Sequence, residues 1–432
     1  MTRRTIGVEE RVPLRQALPL SLQHLFAMFG ATVLVPFLFQ VNPATSLLLN
    51  GVGTLVYLVV AKGRIPAYLG SSFAFIAPVM TVLAHPELGG YAAAQGAFIA
   101  FGLFFILVAG VVRIAGTRWL DTVFPPAAMG AIVMVIGLEL APVATSMAGL
   151  TGSTIRDLGI PADKAIAVAV FTLAVTILGS VLLRGFLAAI PVLIGVGAGY
   201  GLALALGIVD LSAVRSSPWV EAPTLYRPLF RAEAVLMIMP AFLVVLAEHV
   251  GHLVVTGNIV GRDLVRDPGL HRSLLGDGIS NVLSGLAGAT PNTTYGENIG
   301  VMALTRVFSV WVIGGAAAIA VLVSFIGKLA ALIRSTPVPV MGGVCILLFG
   351  VIAAAGIRML VEKKVDYTRG RNLILSSVVL VAGVSGVAVK LGAVELKGMA
   401  LGTAIAILLS LTFAALDRLG LTNDPARPSG EP

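Results

Sequence analysis

The chain has 432 residues, 57% of them hydrophobic and 12% charged, with a formal net charge of +8 and a mean hydropathy of +0.99. That balance excludes an ordinary soluble domain and a disordered chain, and places most residues in a bilayer, where one helical span takes about 20 apolar residues. The loops left between such runs are too short for a soluble catalytic domain, so a carrier is expected and an enzyme is not.

The first residues are charged and lead straight into long apolar runs, so no cleavable signal is expected. Counting runs of span length gives about fourteen, the pattern of an all-α polytopic membrane protein. The first run carries Ser21 and the pair Gln23-His24. The third is irregular, with Ser71-Ser72-Phe73-Ala74-Phe75 placing two hydroxyls and two rings ahead of Pro78. Pro125-Pro126 opens a run that reaches the acid Glu139. Gly149–Lys164 and Asp210–Arg231 are polar stretches between runs, and Gly195, Gly197, Gly199 and Gly201 form a ladder suited to close helix packing. The eighth run holds Leu246-Ala247-Glu248-His249-Val250-Gly251-His252-Leu253. The tenth, again irregular, is Thr290–Arg306, T-P-N-T-T-Y-G-E-N-I-G-V-M-A-L-T-R. Cys345 is the single cysteine and reads as a packing residue, and 419–432 is expected to be a disordered tail.

With an internal N-terminus, roughly 20 of the 29 Lys/Arg fall on the cytoplasmic side, among them Arg3, Arg4, Arg262, Arg266, Arg369 and Arg371. The basic balance therefore records topology, with both termini cytoplasmic, and does not point to nucleic acid.

The two halves echo each other. Gln23-His24 pairs with Glu248-His249, and Pro125-Pro126-Ala127-Ala128-Met129-Gly130 with Pro337-Val338-Pro339-Val340-Met341-Gly342, at offsets of about 225 and 212 residues. The first offset carries Ser71-Ser72-Phe73 onto Gly296-Glu297-Asn298, so the irregular third run matches the irregular tenth. Seven spans per half is odd, which gives a 7+7 inverted repeat with spans 3 and 10 broken by short extended segments.

Glu297 is the sharpest candidate. An ionisable residue at membrane depth costs roughly 2.5–3.5 kcal/mol on insertion scales and marks a substrate or ion path. Pro291, Gly296 and Gly300 are expected to break the helix around it, as in the midplane sites of secondary transporters. Glu248 and His252, four residues apart, share a helix face and can share or pass a proton. His249 is turned roughly 100° away and reads as structural. Asn298 adds an amide beside Glu297, and Tyr295-Gly296 offers backbone N–H groups where glycine permits close approach. Phe73 offers its backbone and a ring to a planar ligand, whereas His24 is expected to brace the site. The order E-H-x-x-H is neither zinc-protease signature, and no further Cys or His follows at ligand spacing, so no metal site is expected.

At these residues the chain resembles the nucleobase–ascorbate transporter family, also called nucleobase:cation symporter family 2. That family's signature is an acid, Gln or Pro followed by N-x-G, four residues, then T and a basic or Gly residue. It stands here as Glu297-Asn298-Ile299-Gly300-Val301-Met302-Ala303-Leu304-Thr305-Arg306, and the family's Gln-His pair as Gln23-His24. Ser21–Pro36, Ile65–Ile76, Ala247–Thr256 and Thr290–Ala303 are similar to the family's bacterial uracil carriers, and the similarity runs to about Leu411.

The resemblance implies a uracil:proton symporter of the bacterial inner membrane, with the proton as coupling ion and no cofactor. It implies a core domain of spans 1–4 and 8–11 (1–120 and 228–335) that holds substrate. Spans 5–7 and 12–14 (121–212 and 336–418) would form a gate domain that also supports homodimers. By the same resemblance Glu248 and Glu297 bind uracil, Phe73 and Gly296 give backbone contacts with Tyr295 beside them, and His252 joins Glu248 in proton coupling. Gln23, His24, Ser72 and Asn298 would support them. Members that carry purines, xanthine or uric acid, share the signature and are the alternative. An anion carrier of similar repeat architecture would place basic groups where this chain has acids.

Overall fold

A computed structural model of the chain describes residues 5–152, 154–391 and 394–422. The tail expected over 419–432 lies outside the described residues from 423 onward, as do Arg3 and Arg4. Among the described residues, eight helices are long and apolar enough to cross a membrane, and four apolar helices are shorter. Contacts gather the chain into two units, Met1–Arg113 with Pro142–Leu347 and Ile114–Ala141 with Leu348–Pro432.

In the first unit the helix Pro43–Val60 starts on a proline, and the Asn42 side chain accepts from the Ala44 N–H at 3.0 Å, a standard N-cap. Against it lies the helix Leu270–Ala287, and glycines set how close the two come. A Cβ on Gly53 would run into Ser280. Gly102, in the helix Gly90–Ala115, and Gly278 oppose each other so tightly that a Cβ on either would sit 2.6–2.7 Å from the other's carbonyl oxygen. Such contact draws the polar face of Leu270–Ala287 into the interior.

Two short strands cross at the centre of this unit. β1 (Leu69–Ser71) and β2 (Asn292–Thr294) pair antiparallel, with Leu69 opposite Thr294, Gly70 opposite Thr293 and Ser71 opposite Asn292. All six residues are buried. Each strand runs on to a helix start, the 3-10 turn Phe73–Phe75 leading into Ile76–Leu83, and the helix Gly296–Thr305. Gly70 leaves the space that the Tyr295 ring fills.

Gly300, expected to interrupt the chain here, lies inside the helix Gly296–Thr305. A helical glycine costs about 1 kcal/mol relative to alanine, too little to stop a helix begun at an anchored strand. The end comes at Arg306, which adopts the left-handed conformation (φ +58°) and returns its N–H to Met302. Glycine takes that conformation most readily, which fits the glycine alternative at the close of the motif.

The N-terminal segment is laced to strands of chain far from it in sequence. Ile6 bridges Val307, the Val310 N–H bonds the Val8 carbonyl at 2.9 Å, and Arg262 meets Glu9 through two bonds of 2.5 and 2.9 Å. The polar stretch Asp210–Arg231 is tied down as well, its Tyr226 and Leu229 N–H groups bonding the Ala287 and Ala92 carbonyls. The glycine ladder packs on alternate rungs, Gly195 and Gly199 facing Thr176 and Thr172 while nothing lies near Gly197 or Gly201. Pro142–Leu347 clusters within the first unit, where Gly342 abuts Ala148 and Gly343 abuts Ala169.

The second unit contains the helices Pro126–Glu139, Gly370–Val384 and Gly398–Arg418. Glu139 there accepts from the Met399 N–H at 2.8 Å, and Gly398 (φ +55°) makes room for its carboxylate. This acid caps a helix start.

Candidate functional site

The site is built in the first unit, where the helix Ala232–Val260 passes the ends of β2 and Gly296–Thr305. It lays Glu248 and His252 on one half-buried face and turns His249 inward to full burial. His252 Nδ1 is 3.1 Å from Thr294 Oγ1 of β2. Its Nε2 lies 3.3 Å from where a Cβ on Gly296 would stand. The imidazole thus leans over the first turn of the helix that carries Glu297.

Gly296 and Glu297 are exposed although Tyr295 and Asn298 on either side are buried. No side chain caps this helix start, and first-turn N–H groups have no intrahelical partner. Glu248 lies within electrostatic reach of both Glu297 and Asp277. Two carboxylates, an imidazole and a helix N-terminus therefore lie near one another.

The surrounding groups hold this arrangement. Tyr295 donates its hydroxyl to the Ser71 carbonyl at 2.9 Å and its N–H to the Tyr68 carbonyl at 3.0 Å. Asn298 Nδ2 bonds His24 at both Nδ1 (3.0 Å) and the carbonyl (3.2 Å), pinning Leu14–Ala27 to the Glu297 helix. Gln23 is buried beside it in sequence. The Ser72 N–H bonds the Pro291 carbonyl at 2.9 Å, while its buried hydroxyl has no protein partner. Phe73, half-buried, opens the 3-10 turn.

Sequence reasoning missed the polar face of the helix Leu270–Ala287. Ser273, Asp277, Ser280, Asn281 and Ser284 are fully buried along one of its faces. Their spacing of three and four residues was a visible signal, since it aligns polar groups on a single helix face within an apolar chain. Ser280 donates to Asn292 Oδ1 at 3.0 Å, and Asn292 Nδ2 donates to Ser284 at 3.1 Å, so this face grips β2. Asp277 meets the inward-turned His249. Among the described residues no group of three or more His, Cys, Asp or Glu is placed to hold a metal ion.

Such a site can accept hydrogen bonds from N–H donors at its carboxylates, give them to carbonyl oxygens from the helix N-terminus, and take up a proton.

Residues 15–392 match the model of the Permease family named Xan_ur_permease. The chain is 62% identical over 419 residues to the uracil permease of Escherichia coli strain K12, covering 97% of this chain and 96% of that one. To the uracil permease of Paenibacillus larvae subsp. larvae it is 58% identical over 424 residues, covering 98% and 100%. Its fold is similar to the transmembrane domain of the cyanobacterial bicarbonate transporter BicA, with a TM-score of 0.63 at 14% identity over 94% of this chain and 100% of that one. Apolar helices and family match together make this a multi-pass, all-helical membrane protein of transporter fold.

Proposed function

The chain belongs to the Permease family, the nucleobase–ascorbate transporters, and from that premise we propose that it carries uracil into the cell in symport with protons, by alternating access. Uracil is planar and neutral, with two N–H donors and two carbonyl acceptors around its rim. Glu248 and Glu297 accept from the N–H groups, and the backbone N–H groups at Phe73 and Gly296 donate to the carbonyls. Charge-assisted hydrogen bonds are about twice as strong as neutral ones, which suits a small ligand with little apolar area.

One observation carries this reading. Glu297 is exposed at an uncapped helix start, with His252 against Gly296 and Glu248 in electrostatic reach, in a chain 62% and 58% identical to relatives named uracil permeases. Two neighbouring carboxylates share a proton more cheaply than they hold two charges. Glu248, relayed through His252, takes the coupled proton, and no cofactor is invoked. Tyr295, Gln23, His24, Ser72 and Asn298 shape and brace the site.

The wider reading is of fourteen spans in a 7+7 inverted repeat in the bacterial inner membrane, both termini cytoplasmic. Spans 1–4 and 8–11 form the substrate-holding core, and spans 5–7 and 12–14 a gate through which the chain dimerises.

Radiolabelled uracil uptake into proteoliposomes tests the proposal, with and without an inward proton gradient and with excess xanthine as competitor. Gradient-driven accumulation indifferent to xanthine is expected. Strong competition by xanthine, or no uracil uptake, would move the substrate to the purine members of the family.

A further inference from the structure

One buried ionisable pair plays no part in the uracil mechanism. His249 Nδ1 and Asp277 Oδ2 are 2.8 Å apart, and both side chains are fully buried. Two bare lone pairs would repel at that distance, so a proton lies between them. Neither group stands alone. His249 Nε2 is 2.8 Å from Ser273 Oγ, which is 2.6 Å from the Tyr57 hydroxyl. The rings of Tyr57 and Phe105 stand edge-on to the imidazole, with centroids at 6.5 and 5.8 Å. On its other side Asp277 Oδ1 accepts from Asn281 Nδ2 at 2.9 Å, and Asn281 bonds the backbone of Asn292. A continuous buried chain of hydrogen bonds therefore starts at Tyr57, crosses the Glu248 helix at His249, and ends on β2.

Building on the uracil-site reading, we propose that His249 and Asp277 are a positioning pair for that site: they set the rotation of the helix Ala232–Val260 against Leu270–Ala287, and with it the aim of Glu248 relative to Glu297. His249 precedes no flexible turn; it is the immediate helical neighbour of Glu248, about 100° around the axis. Holding its imidazole fixes the side on which Glu248 emerges. Asp277, through Asn281, holds the strand that ends just before Gly296 and Glu297. Both carboxylates are thus referred to one rigid helix. The polar groups facing the pair are Tyr57, Ser273 and Asn281, and Glu248 is the acid in electrostatic reach of Asp277.

Replacing a buried ion pair by apolar residues of similar volume is often neutral for folding, whereas removing one partner strands the other. The test uses that difference. The double variant His249→Leu/Asp277→Leu, the single variants His249→Asn and His249→Ala, and the wild type are compared in detergent for thermal melting and for binding of radiolabelled uracil. A positioning role predicts a double variant that melts close to wild type yet binds uracil more weakly by on the order of tenfold or more. His249→Asn, whose amide can still donate to Asp277, should recover most of the affinity that His249→Ala loses. Wild-type affinity in the folded double variant overturns the proposal. If that variant does not fold, equal affinities in His249→Asn and His249→Ala overturn it. Failure of the wild type itself to bind uracil overturns the uracil reading instead, so the two failures are distinct.

Discussion

Asn281 holds both backbone groups of Asn292: its Oδ1 accepts from the Asn292 N–H at 2.8 Å and its Nδ2 donates to the Asn292 carbonyl at 2.9 Å. A side-chain amide thereby serves as the neighbouring strand that β2 lacks on the side away from β1. Buried backbone groups need partners, and a three-residue strand in an apolar interior has few available. β2 leads directly to the helix that carries Glu297, so this clasp connects Leu270–Ala287 to the site.

Replacing Asn281 with Ala leaves two buried backbone groups unpaired, at roughly 1–3 kcal/mol each. Asn281→Ala should melt well below the wild type and lose uracil uptake. Asn281→Asp puts an oxygen against the Asn292 carbonyl and should do little better. Thermal melting in detergent checks both, and an unchanged melting curve for Asn281→Ala would contradict the clasp.

Glu297→Gln and Glu248→Gln each exchange a charged acceptor for a neutral amide. Hydrogen bonds to charged groups contribute about 1.5–3 kcal/mol, so each change should weaken uracil binding by roughly one to two decades. His252→Ala should spare binding more than gradient-driven uptake, because the imidazole serves the proton. Parallel binding and proteoliposome uptake assays separate these outcomes, and equal losses in both assays for His252→Ala would count against a relay.

Gly70 should tolerate no side chain. A Cβ there would lie 2.8 Å from the Tyr295 hydroxyl oxygen and closer still to its ring. Overpacking of this kind costs about 1–3 kcal/mol. Gly70→Ala should lower the melting temperature and impair uptake, and combining it with Tyr295→Ala should be less damaging than the sum of the two. Strict additivity in that double-mutant cycle would show that the two residues do not meet.

Arg262 holds the Glu9 carboxyl below its ordinary value of 4.5, chiefly through their hydrogen bonds. Because the folded-state value is depressed, the stabilisation is present above 4.5 and is lost as pH falls through the folded value. Both side chains are about half exposed, so solvent screening keeps the pair within about 1 kcal/mol. Arg262→Ala should therefore lower melting slightly at neutral pH and low salt, and not at all once Glu9 is protonated. Melting of wild type and variant across an acid titration tests this, and a constant gap between them would remove Glu9 from the account.

The acids at 248 and 297 were legible because a charge inside an apolar run is costly and so stands out. The polar face of Leu270–Ala287 was visible in its spacing, but what that face holds was not. Serines and asparagines are individually unremarked in a membrane helix, and their meaning appears only once Asn292 is seen to receive them. Gly300 was misjudged for the opposite reason, since local propensity marks it as a breaker while an anchored helix start overrides about 1 kcal/mol. Glu139 shows the same limit, because an acid near the end of one run gains its purpose as the cap of a helix 260 residues away.

What the amino-acid sequence by itself determined was the solvent of this protein and the positions of its costly groups. Hydropathy is a sum over local composition, and the prolines at 126 and 337 mark helix starts from their own covalent geometry. What only the tertiary structure decided was the pairing of β1 with β2, the grip of Asn281 on Asn292 and the meeting of His249 with Asp277. Those contacts join segments far apart along the chain. Helix packing and backbone pairing select them, and no local periodicity records which partner a buried polar group will find.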